Sequence, residues 1–125
     1  MTHWYTRPVL FVSNMTKSVE FYLNALAFEK AWTHEHDGHA IVTQVARGDC
    51  EVILCLDASR TARARLFVSL EPEELAAFRK EVGQRSISTD NIWWGYPCLR
   101  IEDPDGNELL FPLQDEEPRA EPGAG

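Results

Sequence analysis

The sequence predicts an α+β fold built from two tandem βαβββ modules, and three observations predict it. The tetrapeptide Leu-Phe-Val-Ser occurs at 10–13 and again at 66–69, an offset of 56 residues. Each copy lies in a short apolar run that reads as a strand, and an amphipathic helical pattern follows each. The same offset carries Val19 to Leu75, Tyr22 to Phe78 and Leu26 to Val82, the i, i+3, i+7 positions of one helical face. A four-letter match alone arises by chance. Matched strand, helix face and spacing together indicate duplication.

The first module spans residues 7–56. Arg7 to Ser13 reads as a strand with Pro8 near its start, where a missing N–H is tolerated at a sheet edge or a chain exchange point. Asn14 or Thr16 caps a helix that runs to about Ala27 and buries Val19, Tyr22, Leu23 and Leu26. A strand from Phe28 to His36 meets Asp37-Gly38, which supplies the positive φ angles of a tight hairpin. His39 to Arg47 returns, Gly48-Asp49 turns again, and Cys50 to Leu56 forms an apolar fourth strand. Residues 57–64 are polar and unpatterned, a linker.

The second module spans residues 65–113. It opens with a strand from Arg65 to Leu70. Pro72 suits the first turn of a helix, with Glu71, Glu73 and Glu74 complementing the helix dipole and Gly83 as its stop. Ile87 to Trp93 is a weak polar strand and Tyr96 to Glu102 a better one. Asp103-Pro104-Asp105-Gly106 makes a tight turn before a last strand from Asn107 to Leu113. Residues 1–113 are read as one domain, and the acidic, Pro- and Gly-containing stretch 114–125 as a disordered tail.

With 125 residues the chain has one domain's worth of core. Twelve basic against twenty acidic residues leave a net charge of −8, which repels a nucleic-acid backbone, and no basic stripe offsets it. Nucleic acid is therefore excluded as a partner, while cationic ligands are attracted at long range. Cys50, Cys55 and Cys98 are odd in number, without CxxC spacing or a preceding signal peptide, so reduced thiols in the cytoplasm are expected. No apolar run approaches the roughly 18 residues of a membrane span.

"PVLFVSNMTKSVEFYLNALAFEKAW" near the start and "WWGYPCLRIEDPDGNELLF" near the end give the tandem modules a resemblance to the vicinal oxygen chelate superfamily, the glyoxalase, bleomycin-resistance and extradiol-dioxygenase group. The resemblance covers residues 7–113, with "SVEFY" and "DPDGN" its most specific pieces. It implies that the two modules form a curved, cup-shaped mixed sheet with helices outside. It further implies a divalent metal on the cup floor in the family's enzymes, held by His and Glu at the start of the first strand and on the last strand of each module.

Counting from those motifs puts Arg7 and Leu110 at two of the ligand positions. Arg65 (by local similarity) or Arg63 (by the repeat offset) falls at the third, and Val52 or Leu54 at the fourth. Guanidinium has no lone pair to donate, and aliphatic side chains cannot ligate. No metal or other cofactor is therefore expected, and no catalytic residue is assigned. The resemblance narrows to the metal-free bleomycin-resistance-like branch, whose PWG-like turn has a counterpart in Trp93-Trp94-Gly95. This implies a binding protein acting by sequestration, with an antibiotic or another drug-like or aromatic ligand.

The expected ligand-binding residues are Arg7, Phe11, Trp32, Arg65, Phe67, Trp93, Trp94 and Glu108. Adjacent Trp93 and Trp94 face opposite ways on a strand, so one of them offers a flat surface for stacking. Arg7 and Arg63 or Arg65 either bind an organic acid or are neutralised by glutamates such as Glu108. His34, His36 and His39 around the hairpin read as a solvated tip in preference to a metal site. Glu51, Glu102 and Glu108 remain open as general bases, so a metal-dependent lyase, isomerase or oxygenase and an organic-acid-binding domain stay as alternatives. A C2 homodimer is expected by the same resemblance, and Pro8 at the first strand suggests exchange of the N-terminal strand between its chains.

Overall fold

A computed structural model describes residues 4–95 and 97–113. The chain forms two compact units. Among the described residues, the first comprises 4–64 together with Asp103–Asn107, and the second Arg65–Glu102 together with 108–113. Each carries a four-stranded mixed sheet, and the βαβββ order occurs twice.

In the first unit β1 (Val9–Val12) leads into helix α1 (Met15–Glu20), then β2 (Glu29–His36), β3 (His39–Arg47) and β4 (Cys50–Leu56). Asn14 caps α1, its side chain accepting from the Lys17 N–H at 3.0 Å. The sheet order is β1-β4-β3-β2, with β1 parallel to β4 and the other pairs antiparallel. One face of this sheet presents Leu10, Val12, Val45, Val52 and Leu54, all buried, and α1 packs on β3 and β4. Tyr22 is fully buried there, its ring edge-on to Phe21 at 5.4 Å and to Phe28 at 5.5 Å.

The first helix is shorter than its pattern predicts. It widens after Glu20 into a π-helical turn over Phe21–Ala25, closed by a Leu26 N–H bond to the Phe21 carbonyl. Ala27 then adopts a left-handed φ of 57° and ends it. The hairpin residues Asp37 and Gly38 both take positive φ, as their sequence demands.

In the second unit β5 (Arg65–Phe67) precedes helix α2 (Pro72–Gln84), β6 (Asp90–Trp93), β7 (Pro97–Glu102) and β8 (Glu108–Pro112). The order is β5-β8-β7-β6, with β5 parallel to β8. Helix α2 lays Phe78 on Phe111 of β8, ring centroids 4.6 Å apart. Pro72 occupies its first turn as predicted, and Glu74 reaches back to accept the Glu71 N–H at 3.1 Å.

Gly83 does not stop α2. It lies inside the helix, and the stop is made by Ser86, whose φ is 53°, with the Ile87 N–H reaching the Val82 carbonyl. Strands β1 and β6 start later than the sequence suggests and β5 ends earlier. Register pairing with β4, β7 and β8, and not apolar content, sets those limits. The linker holds a short 3₁₀ turn at Ala58–Arg60 under an Asp57 cap. Tyr96 and the stretch 114–125 lie outside the described residues.

Candidate functional site

Both units place polar side chains on the sheet face opposite the helix-packed one, and the strand registers give the two sets the same plan. In the second unit Arg65 of β5 stands directly opposite Glu108 of β8, and Arg100 of β7 stands opposite Leu110, two residues on. In the first unit β1 pairs Val9 with Ile53, and β3 pairs Gln44 with Ile53. Arg7, two residues before Val9, therefore stands level with Glu51. Arg7, Gln44 and Glu51 stand to one another as Arg65, Arg100 and Glu108 do.

The chemistry of the two sets differs. In the second unit the Glu108 carboxylate is held on both sides: Arg65 Nε donates to Oε1 at 2.7 Å and Arg100 Nη1 donates to Oε2. Arg100 also reaches Asp90 at 2.8 Å and lies 3.6 Å from Glu102. Hydrogen bonds from Arg65 and then Arg100 hold the Glu108 carboxyl below the usual glutamate range, and Glu108 and Asp90 hold the Arg100 charge more firmly than usual. Trp94 packs on Phe67 at 5.3 Å, with the Arg65 guanidinium 5.9 Å from its ring centroid.

In the first unit a neutral amide replaces Arg100. Gln44, only 5% exposed, accepts from Arg7 Nη1 at 2.6 Å and from the Trp32 indole N–H at 3.0 Å through one oxygen. Its amide nitrogen donates to Glu51 at 2.9 Å. The Tyr5 hydroxyl donates to the same carboxylate, which raises the pKa of that hydroxyl. The Arg7 guanidinium lies over the Tyr5 ring at 5.1 Å.

Behind this face Tyr22 donates to Asp103 at 2.9 Å. Asp103 also accepts from the backbone of Asp105 and Asn107 and from the Asn107 amide. Asp105 in turn accepts from Ser13, and Asn107 accepts from the Ala64 N–H at 3.0 Å. The DPDGN turn is thus bound into the first unit by its side chains.

The eight expected binding residues divide accordingly. Arg7 and Trp32 meet through Gln44, while Arg65, Phe67, Trp94 and Glu108 gather in the second unit. Phe11 takes the Arg60 guanidinium over its ring at 5.7 Å. Trp93 ends β6 and is 74% exposed. Of the two readings of the arginines, Arg65 is neutralised by Glu108, and Arg7 is not paired in that way. Gln44, Arg100, Tyr5 and Asp90 were missed by sequence reasoning. Gln44 and Arg100 carried one usable signal: they lie one repeat offset of 56 residues apart, each in the third strand of its module.

The register counterpart of Leu110 in the first unit is Ile53, and not Val52 or Leu54, which point to the buried helix side. Arg63 lies outside the strand with its side chain against Gly106. Arg7, Arg65, Ile53 and Leu110 offer no lone pair, and Glu51 and Glu108 are each already hydrogen-bonded. The residues at the superfamily's ligand positions do not fit a divalent metal. Among the described residues no group of three or more His, Cys, Asp and Glu side chains is placed to hold one. His36 sits 3.3 Å from Asp37 at the hairpin tip. Burial raises the thiols of Cys50 and Cys98, so neither is poised as a nucleophile at neutral pH. No helix among the described residues is long and apolar enough to cross a membrane.

The family model described as glyoxalase superfamily protein matches residues 2–117. No curated protein matches the sequence. Among solved structures, an integron cassette protein from the mobile metagenome of the Halifax Harbour sewage outfall is similar with a TM-score of 0.67 and 19% identity, over 84% of this chain and 94% of that one. Lactoylglutathione lyase from Agrobacterium tumefaciens is similar with a TM-score of 0.65 and 14% identity, over 86% and 92%. The fosfomycin resistance protein FosX from Listeria monocytogenes is similar with a TM-score of 0.67 and 12% identity, over 90% and 92%. At these identities the likeness is one of fold.

Proposed function

The chain belongs to the glyoxalase superfamily, and we propose that within it this protein is a metal-independent small-molecule binder that acts by sequestering planar, drug-like ligands. One observation carries the reading: arginines and aliphatic residues stand where the superfamily's enzymes present metal ligands, and the nearby glutamates are engaged by guanidinium, amide and phenol groups. A site of this composition binds without supplying a Lewis acid. In the first unit Trp32, 40% exposed, and in the second Trp94, 45% exposed and packed on Phe67, each offer a flat face for a planar ligand. Protection by sequestration needs only affinity and protein in excess. The branch resembling bleomycin-resistance proteins, a cytoplasmic location and a C2 homodimer with an exchanged N-terminal strand belong to the same proposal.

The test is metal analysis of protein purified without a histidine tag, alongside thermal-shift screening of planar compounds with and without chelator. Substoichiometric metal is expected, with ligand-dependent stabilisation unchanged by EDTA. Stoichiometric Zn, Ni, Fe or Mn, with binding abolished by chelation, overturns the reading.

A further inference from the structure

The two strand-end sets share a plan and differ at one position, Gln44 against Arg100, and that difference decides which arginine is available. In the second unit both charges of the Arg65–Glu108 pair are consumed by direct ionic contact, and Arg100 adds a second guanidinium to the same carboxylate. A ligand anion arriving there competes with Glu108, 8% exposed and fixed by both arginines, with Asp90 and Glu102 adding repulsion.

In the first unit the amide of Gln44 separates the arginine from the carboxylate. Arg7 gives one N–H to the Gln44 oxygen, and its salt bridge to Glu51 is not made. Among the described residues its remaining in-plane donors are uncommitted. Its guanidinium face rests on Tyr5, and the same Gln44 oxygen fixes the Trp32 indole. A guanidinium stacked on a ring with free in-plane donors is preorganised for bidentate binding of a carboxylate. The adjoining half-exposed Trp32 ring suits a planar body.

We propose that the sequestered ligand is a planar organic carboxylate, its anionic group held by Arg7 in the first unit, with Gln44 as the positioning residue that keeps Arg7 from pairing with Glu51. This rests on the sequestration reading above and names its ligand class. The net charge of −8 does not oppose it, because beyond about 8 Å at physiological ionic strength that field is screened and contact chemistry decides.

The test compares 2-naphthoate, 2-naphthalenemethanol and 2-naphthylmethylammonium by calorimetric titration in the presence of EDTA, using the full chain. Naphthoate is expected to bind more than 10-fold tighter than the alcohol. Arg7→Gln is expected to weaken naphthoate by about 10- to 100-fold, the range of a charge-assisted hydrogen bond, and to leave the alcohol unchanged. Gln44→Arg gives the first unit the second unit's chemistry and is expected to lower naphthoate affinity likewise. Arg79→Gln, on the exposed side of α2, serves as the charge control. Thermal unfolding confirms that each variant is folded, and because Arg7 is exposed, Arg7→Gln alone decides if Gln44→Arg does not fold. Equal or tighter binding of the alcohol or the ammonium compound overturns the carboxylate assignment and leaves the sequestration reading standing. A naphthoate preference that survives Arg7→Gln overturns the role of Arg7. Absence of binding by all three overturns both readings together.

Discussion

Glu108 is the residue on which the second unit's polar face turns. Removing its charge by Glu108→Gln leaves Arg65 and Arg100 facing a neutral amide, at a cost of about 1–3 kcal/mol, with the low end favoured by the partial exposure of Arg65. The pH dependence follows from the direction of the shift. The folded carboxyl titrates below its unfolded value of about 4.3, so its contribution is fully present above that value. It is lost as pH falls through the lower, folded one. Melting curves between neutral pH and pH 3 check this: the gap between wild type and Glu108→Gln is expected to close as the pH drops. Arg7 and Arg65 were legible in the sequence because motif spacing fixes the strand starts. The repeat offset links Gln44 to Arg100 in the sequence, but what each touches depends on cross-strand register, which a single strand's pattern does not contain.

At the scale of elements, the two glycines read as punctuation behave oppositely. Gly83 lies inside α2 with nothing within 4 Å of an added Cβ. Gly83→Ala should therefore stabilise the protein by about 0.5–1 kcal/mol through helix propensity and the unfolded chain's entropy. Gly106, at φ 86°, would set a Cβ 3.0 Å from Arg63 Nε, so Gly106→Ala is expected to destabilise by at least about 1 kcal/mol. Chemical denaturation of the two variants measures both signs. Hairpin and turn dipeptides such as Asp37-Gly38 were correctly read because their φ requirements are local. The end of α2 and the π-helical turn after α1 were misjudged because a helical stop is shared among several backbone bonds, and Ser86 and Ala27 take the left-handed angles without a glycine to announce them.

For the whole molecule, the duplication visible in Leu-Phe-Val-Ser gave the fold class, since matched strands and helix faces impose the same βαβββ order twice. The proposed pairing of two chains is checked by light scattering coupled to gel filtration: a mass of twice 14.2 kDa is expected, and 14.2 kDa refutes it. What the repeat conceals is that the chain is not divided as the duplication is. Asp103–Asn107 belong with the first unit, bound there through Tyr22, Ser13 and Ala64. A fragment ending before residue 103 therefore holds the whole first βαβββ segment yet lacks the acceptor of the buried Tyr22 hydroxyl.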